Sequence, residues 1–355
     1  MATTKDDWEW PFSMADLTAG LRRNLKDTSV KVTQVRPKTI PFRWPAIGRV
    51  RGIEVTYTSR TKPGACQLVI KEPRGTTRTG LAGAGRRELG VYQSLASHLP
   101  LSTPKLIAAS SVGDWMILEA IKSVRDPSQW NAEDYRKAIE ALTHLHDRFW
   151  GLGADLSVFR WLSRPLGADF EVHVTVAAKA IERIVNQAHP EPLASVPERM
   201  QLLATLTMQA DRIIAPLRDQ PSTLLHGDYW PGNIAIQQDG SQVVYDWQLT
   251  GVGPGVIDLL VFINKSAWLF DTLPLSQQEI VKCYREGMAA SNGVLWNEVE
   301  WNLLWDHALM WRFLQEWVDL LAASPDPLLE TRAEQLDQVW LDPVANAVSR
   351  RLKTE

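Results

Sequence analysis

The chain has 355 residues, of which 45% are hydrophobic and 22% charged, and its formal net charge is −3. This is ordinary globular composition at a length that suits two lobes, and so nearly balanced a charge points away from a nucleic-acid binder. The two cysteines, Cys66 and Cys283, form no CxxC pair and no His/Cys metal spacing, which argues against a disulfide scaffold and a structural zinc.

The opening residues, MATTKDDWEWPF, are acidic and lack an apolar signal core, and no apolar run reaches bilayer length. A cytoplasmic protein without a membrane span is expected. Met14, Leu17, Leu21 and Leu25 recur at helical spacing and predict a short helix over 14–25. VKVTQVRP, GIEVTYTS and CQLVIKEP are β-branched runs separated by turn residues such as KPGA, and they read as three antiparallel strands. Between the first two lies IPFRWPAIGRVRG, rich in Pro, Gly and Arg. A helix is expected at about 84–98, then two strands, KLIAASSV and WMILEAI, joined by the hairpin signal Gly113-Asp114.

From about residue 125 onward helices dominate. NAEDYRKAIEALTHLHDRFW has a polar start at Asn131 and apolar positions at Tyr135, Ile139, Leu142 and Leu145. Two further helices are expected at 168–188 and 195–218, and four more at about 254–265, 276–290, 296–322 and 327–352. Between these groups, IAIQQDGSQVVYDWQ reads as strand, turn, strand. The layout is an α+β fold: a five-stranded antiparallel lobe with one inserted helix over 1–121, then a mostly helical lobe over 122–355. The first 120 residues carry 18 Lys and Arg against 10 acids, and the rest carry 20 against 31. A basic first lobe suits a polyanion and an acidic second lobe a cationic or metal-assisted partner; uneven surface decoration gives the same count.

The stretch LLHGDYWPGN, 224–233, places an acid and an amide five residues apart where Pro231 and Gly232 forbid a regular helix. It is either a polar surface turn or a catalytic loop. Asp246 follows in VVYDWQ. If 234–238 and 242–246 pair as strands, their turn returns Asp246 to the side of Asn233, so Asp228, Asn233 and Asp246 converge. Hard oxygen ligands of this kind suit Mg²⁺ rather than zinc, and Mg²⁺ in such a site implies a phosphorylated ligand. Upstream, Lys71 ends the apolar strand LVIK, and Glu88 lies 17 residues later on the next helix. Taken singly, each is an unremarkable solvated residue. Their order is more specific: strand Lys, helix Glu, hairpin, connector, helices, HxDxxxxN, then Asp at a hairpin end, which is the kinase order.

HGDYWPGN followed by YDWQ resembles the catalytic segment of the aminoglycoside phosphotransferase and choline kinase superfamily, which has a bilobal protein-kinase-like fold. The texture is most similar to the ecdysteroid kinase-like branch: Trp230 one residue after His-Gly-Asp-Tyr, Gln248 after Asp246-Trp247, and LHDRFW at 145–150. GPGVIDLLVF, 253–262, resembles the segment that follows the metal Asp in the family. The resemblance covers about 45–265 and is most specific at 224–260.

It implies an ATP- and Mg²⁺-dependent kinase that phosphorylates a hydroxyl of a small molecule. Asp228 would accept or orient the acceptor's proton, and Asn233 and Asp246 would hold Mg²⁺. Lys71 would touch the α- and β-phosphates with Glu88 fixing its ammonium, and the chain at Glu119-Ala120-Ile121 would face adenine. His226 would brace the loop, and Asp258 would anchor it from the following helix. Gly227 stands where many protein kinases have the Arg that receives an activation-loop phosphate. No GxGxxG precedes Lys71; PAIGRVRG is the candidate phosphate loop, with Arg49 and Arg51 more readily read as solvent-facing.

Seven of the 16 tryptophans follow residue 265. They read either as core packing or as the wall of an acceptor pocket, with Asp306, His307 and Glu316 as polar groups in the same tract. Two other functions use the same motifs: a catalytically inactive kinase-like binding module, and a metal-dependent phosphohydrolase. The first sits poorly with intact Lys71, Asp228, Asn233 and Asp246, and the second leaves Lys71 and Glu88 without a part.

Overall fold

The computed structural model describes residues 9–40, 48–73 and 82–352. Part of the PAIGRVRG stretch, 45–47, lies outside these residues. The described residues form two compact units, one including Gly83–Ser97 and Thr103–Lys122 with the preceding strands, the other including everything from Ser123.

In the first unit, helix α1 (Met14–Leu25) starts in a Ser13/Asp16 capping box, with each side chain bonded to the other's backbone N–H. It buries Leu17 and Leu21 and leaves Met14 and Leu25 exposed. Five antiparallel strands follow: β1 (Lys31–Lys38), β2 (Arg49–Thr58), β3 (Gly64–Glu72), β4 (Leu106–Ala109) and β5 (Met116–Glu119), in the sheet order β1-β2-β3-β5-β4. Side chains alternate across a strand, so the sheet has two distinct faces. Ile53, Val55, Leu68, Ile70 and Ile117 pack with Leu17 and Leu21 on the α1 face. Lys71 has the opposite parity. Its cross-strand partners are Val50 on β2 and Met116 on β5, and Val69 lies two residues before it on the same face. Helix α2 (Ala84–Gly90) enters through Gly83, whose φ of 77° is left-handed, and widens into a π turn over Val91–Leu95. Gly85 and the Gly113 turn approach so closely that a Cβ on either would strike the other's carbonyl oxygen.

The second unit opens with α3 (Ala132–Arg148), capped by Asn131. Next come α4 (Phe170–Gln187), α5 (Glu191–Ala194), α6 (Pro197–Met208) and α7 (Ala210–Arg218), so the expected helix at 195–218 is two helices, broken at Gln209. Two small sheets follow. Strand β6 (Thr223–Leu225) pairs with β9 (Gly251–Gly253), and β7 (Ile234–Ile236) pairs with β8 (Gln242–Val244). The β6–β9 pair was not visible in the sequence, because three-residue apolar strands are too short to show alternation. Helices α8 (Val256–Leu269), α9 (Gln277–Asn292) and α10 (Glu298–Arg312) complete the support. The helix expected at 296–322 persists but widens into a π turn at Phe313–Trp317. The tract 327–352 breaks once, at Thr331–Arg332, into a short helix, Asp326–Glu330, and a continuous helical run over 333–351 that widens into a π turn at Asp337–Leu341. No helix among the described residues is long and apolar enough to cross a membrane.

Candidate active site

The two small sheets explain how residues far apart in sequence become neighbours. The loop 226–233 runs from β6 to β7, and the segment 245–250 runs from β8 to β9. Because β6 pairs with β9 and β7 with β8, both segments are held side by side at each end. The Tyr245 N–H donates to the Asn233 carbonyl at 3.0 Å, extending the β7–β8 ladder until Asp246 follows directly. The Tyr245 hydroxyl donates to the Gly232 carbonyl at 2.8 Å, and the Thr250 hydroxyl to the Leu225 carbonyl at 2.8 Å.

Within the loop, the Asn233 side-chain N–H₂ donates to both the Asp228 carbonyl and Asp228 Oδ2, each at 2.9 Å. The donating end of the amide is thereby used on Asp228, and Oδ1 is the end left for a cation. Asp246 adopts φ 69°, a left-handed conformation that costs a non-glycine residue energy, and Gln248 donates to its Oδ2 at 3.4 Å. One amide oxygen and one carboxylate, with Asp228 beside them, form a hard donor set short of a full coordination shell. Among the described residues no group of three or more His, Cys, Asp or Glu forms a metal cage. The partial set of oxygen donors suits an ion such as Mg²⁺, which keeps waters and takes further oxygens from phosphates.

The loop is fastened from below. Asp258, on the first turn of α8, is fully buried and accepts the backbone N–H groups of His226 at 2.7 Å and Gly227 at 2.8 Å. Its Oδ2 also faces His146 Nε2 at 3.4 Å, while His146 Nδ1 meets the Tyr284 hydroxyl at 2.8 Å. Burial alone would raise the Asp258 carboxyl, but the His146 bond, the His146 and His226 imidazoles and the Gly227 amide outweigh it and hold the pKa below the usual carboxylate range. His226 sits the other way. Burial lowers its imidazole against the opposing pull of Asp258 and Asp228. Its Nδ1 accepts from the Asp228 N–H at 3.2 Å, so Nε2 carries the proton donated to the Tyr245 carbonyl at 3.0 Å. His226 is thus a neutral brace linking the two segments. Gly227 is required by its φ of 81° and by the Leu249 carbonyl oxygen, with which any Cβ would collide. That is a local steric reason for glycine where many kinases have arginine.

Three residues at this site escaped the sequence reading. Lys265 on α8 forms an ion pair with Asp228 Oδ1 and lies 5.1 Å from the centroid of the Trp230 ring. Arg312, at the end of α10 where the π turn begins, donates to the Gly227 carbonyl at 2.9 Å and pairs with Glu316. His146 belongs to the quoted LHDRFW stretch, but its place under Asp258 was not foreseen. The signal for Lys265 was its spacing. It stands seven residues after Asp258 in the apolar helix IDLLVFINK, and therefore on the same face.

The late tryptophans divide into two sets. Trp311 stacks on Phe170 at 5.6 Å, and Trp317 packs on Trp340 at 4.5 Å, all in the core. Trp296, Trp301 and Trp305 contact one another in series and, with Arg285 and Leu295, line a surface cavity of about 660 Å³. Asp306 is committed to Arg350 and Arg351, and His307 to the Ile213 carbonyl. Neither is available to orient an acceptor.

In the first unit, Lys71 Nζ lies 2.7 and 2.8 Å from the two oxygens of Glu88, whose side chain is only 1% exposed. The Tyr92 hydroxyl approaches the same carboxylate at 3.4 Å. Arg51 is not solvent-facing as expected but pairs with Glu72. At the end of β5, the Ala120 N–H donates to the Gln67 carbonyl at 3.2 Å. A cavity of about 360 Å³ beside Glu119 and Ala120 is also lined by Leu21, Leu68 and Ile107, which places it on the α1 face and away from Lys71.

Comparison with known proteins converges on one group. Among solved structures, the streptomycin–ATP ternary complex of APH(2")-IIa is 15% identical, with a TM-score of 0.52 over 94% of this chain and 99% of that one. The choline kinase LicA from Streptococcus pneumoniae is 12% identical, with a TM-score of 0.50 over 96% and 97%. LicA in complex with AMP is 12% identical, with a TM-score of 0.53 over 95% and 100%. These likenesses establish the kinase-like fold. No curated protein matches the chain. The model of the phosphotransferase enzyme family, APH, matches residues 51–289, well over half of the chain, and the protein belongs to that family.

Proposed function

We propose that the protein is a small-molecule kinase that transfers the γ-phosphate of ATP to a hydroxyl of a small acceptor, an antibiotic, alcohol, sugar or related metabolite, with Mg²⁺. The observation that carries this reading is Asp228, a buried carboxylate fixed by Asn233 in a braced loop with Asp246 alongside. The family supports it, as do fold neighbours named for complexes with ATP and AMP. In this reading residues 1–121 handle the nucleotide, and residues 122–355 supply the catalytic loop and the acceptor pocket.

Phosphoryl transfer asks mainly for positioning and charge neutralisation. Asp228 receives the acceptor hydroxyl, orients its oxygen and takes its proton. Asn233 and Asp246 hold Mg²⁺, which when bound neutralises the phosphate oxygens. Lys71 binds the α- and β-phosphates, and Glu88 keeps its ammonium in place from a buried position. Val50 and Val69, half-buried on the Lys71 face, offer adenine an apolar surface. The Glu119 and Ala120 N–H groups are already engaged by the Lys105 and Gln67 carbonyls, so backbone contacts to adenine fall to the Glu119 carbonyl and to Ile121. The residues behind the branch resemblance each have a physical part here: Trp230 lies against Lys265, Gln248 holds Asp246, and His146 supports Asp258.

Titration of ATP into the wild-type protein with Mg²⁺ and with a chelator tests the reading. Mg²⁺ should tighten binding, and Asp246→Ala should remove most of that difference while leaving metal-free binding nearly unchanged. Absence of ATP binding in the presence of Mg²⁺ would overturn it.

A further inference from the structure

The catalytic loop HGDYWPGN contains no cation of its own. Transfer of a phosphoryl group places negative charge on its equatorial oxygens, and that charge is best met by a fixed positive group close to the reacting atoms. Arg312 cannot supply it, because it is buried and committed to the Gly227 carbonyl and to Glu316. The ammonium that does reach the reacting carboxylate comes from another element.

Lys265 Nζ pairs with Asp228 Oδ1 while Asn233 occupies Oδ2. The Trp230 ring lies 5.1 Å away and steadies the cation through its face. Helix α8 aims the residue. Asp258 and Lys265 are seven residues apart on one face of it, so the helix that grips the loop backbone at His226 and Gly227 also presents the ammonium to Asp228 two turns later. The Lys265 side chain remains 26% exposed, against 7% for Asp228. An ammonium carries three N–H donors, and only one is needed for the carboxylate. The others remain for a ligand arriving at Asp228.

We propose that Lys265 is a catalytic residue, whose ammonium holds Asp228 Oδ1 before transfer and stabilises the phosphoryl group during it. This rests on the kinase reading above. In the step, the acceptor oxygen forms a bond to the γ-phosphorus as the bond from phosphorus to the bridging oxygen of ADP breaks. The hydroxyl proton passes to Asp228, ADP leaves with the bonding pair, and Lys265 keeps its proton throughout. A lysine suits the place because its compact charge can serve two oxygens in turn.

The test is binding of Mg·ADP alone and of Mg·ADP with aluminium fluoride, a mimic of the transferring phosphoryl group, which needs no acceptor to be known. In the wild type, aluminium fluoride should tighten Mg·ADP binding. Lys265→Met should bind Mg·ADP within about threefold of wild type but lose on the order of a hundred-fold of the added affinity. Lys265→Arg should recover part of it. Lys265→Gln, which keeps a hydrogen bond to Asp228, replaces the methionine variant should that one lose its folded melting transition, and it should show the same loss. A wild-type increment retained by the neutral variants would overturn the role of Lys265 and leave the kinase reading standing. A wild-type protein that binds Mg·ADP but shows no increment would overturn both.

Discussion

Asp258→Asn should loosen the loop at His226 and Gly227 and destabilise the protein. The wild-type carboxylate accepts two backbone N–H groups, one on each oxygen, at 2.7 and 2.8 Å, and it has the His146 imidazole at 3.4 Å on Oδ2. The substituted amide has a single acceptor oxygen. Its NH₂ group must face either the Gly227 N–H or the shared site of His226 and His146, donor against donor. Hydrogen bonds to a charged group contribute roughly 1.5–3 kcal/mol, and a buried donor left unsatisfied costs about 1–3 kcal/mol more. Asp258 is fully buried, so water does not repair the loss. Together these give a destabilisation of about 3 kcal/mol or more. For a unit of this size that is a fall in melting temperature of roughly 6–12 °C. Scanning calorimetry of the variant and the wild type measures it directly. A fall under about 2 °C would show that the Asp258 carboxylate does not fasten the loop, and the reasoning about His226 and Gly227 would fail with it.

Two further outcomes follow from other parts of the molecule. Lys71→Ala should raise the Michaelis constant for ATP and lower turnover, and Glu88→Gln should do the same to a smaller extent; since the two side chains form one bidentate pair, the double variant should cost less than the sum of the singles, and strict additivity in steady-state kinetics would contradict it. His226 is buried, and burial lowers its imidazole pKa, so below about pH 6.5 the unfolded chain takes up a proton that the folded chain does not. Stability is therefore fully present above that pH and declines on acidification, by up to about 1.4 kcal/mol per pH unit for this residue, with His307 acting in the same direction. Urea midpoints that rise between about pH 7.5 and 5.5 would refute this.

The parts of the fold that were legible are those with long periodic signals. The Met14–Leu25 helix shows its spacing over three turns, and β3 and α2 carry Lys71 and Glu88 on elements long enough to read. Local chemistry was legible too. Pro231 and Gly232 marked the loop, and Asp239-Gly240 marked the turn that returns Asp246 toward Asn233. What was hidden is contact made across sequence distance. The β6–β9 pair joins residues about 28 apart through three-residue strands with no pattern of their own. Arg312 reaches Gly227 across 85 positions, and nothing in EVEWNLLWDHALMWR distinguishes a buried arginine from a capping one. Asp306 and His307 were ambiguous for the same reason. Polar residues in a Trp-rich helix fit a core as well as an acceptor wall, and Arg350, Arg351 and the Ile213 carbonyl, which satisfy them, are all distant in the chain.

Phosphorus NMR of the protein with Mg·ATP and a panel of hydroxyl acceptors, including aminoglycosides, macrolides, choline and simple sugars, decides whether the protein is a small-molecule kinase. ATP should be converted to ADP with the appearance of a new phosphomonoester signal for at least one acceptor, and Asp228→Asn should slow this conversion by about a hundred-fold or more. Turnover that yields only ADP and inorganic phosphate with every acceptor, or transfer that Asp228→Asn supports at the wild-type rate, would contradict it.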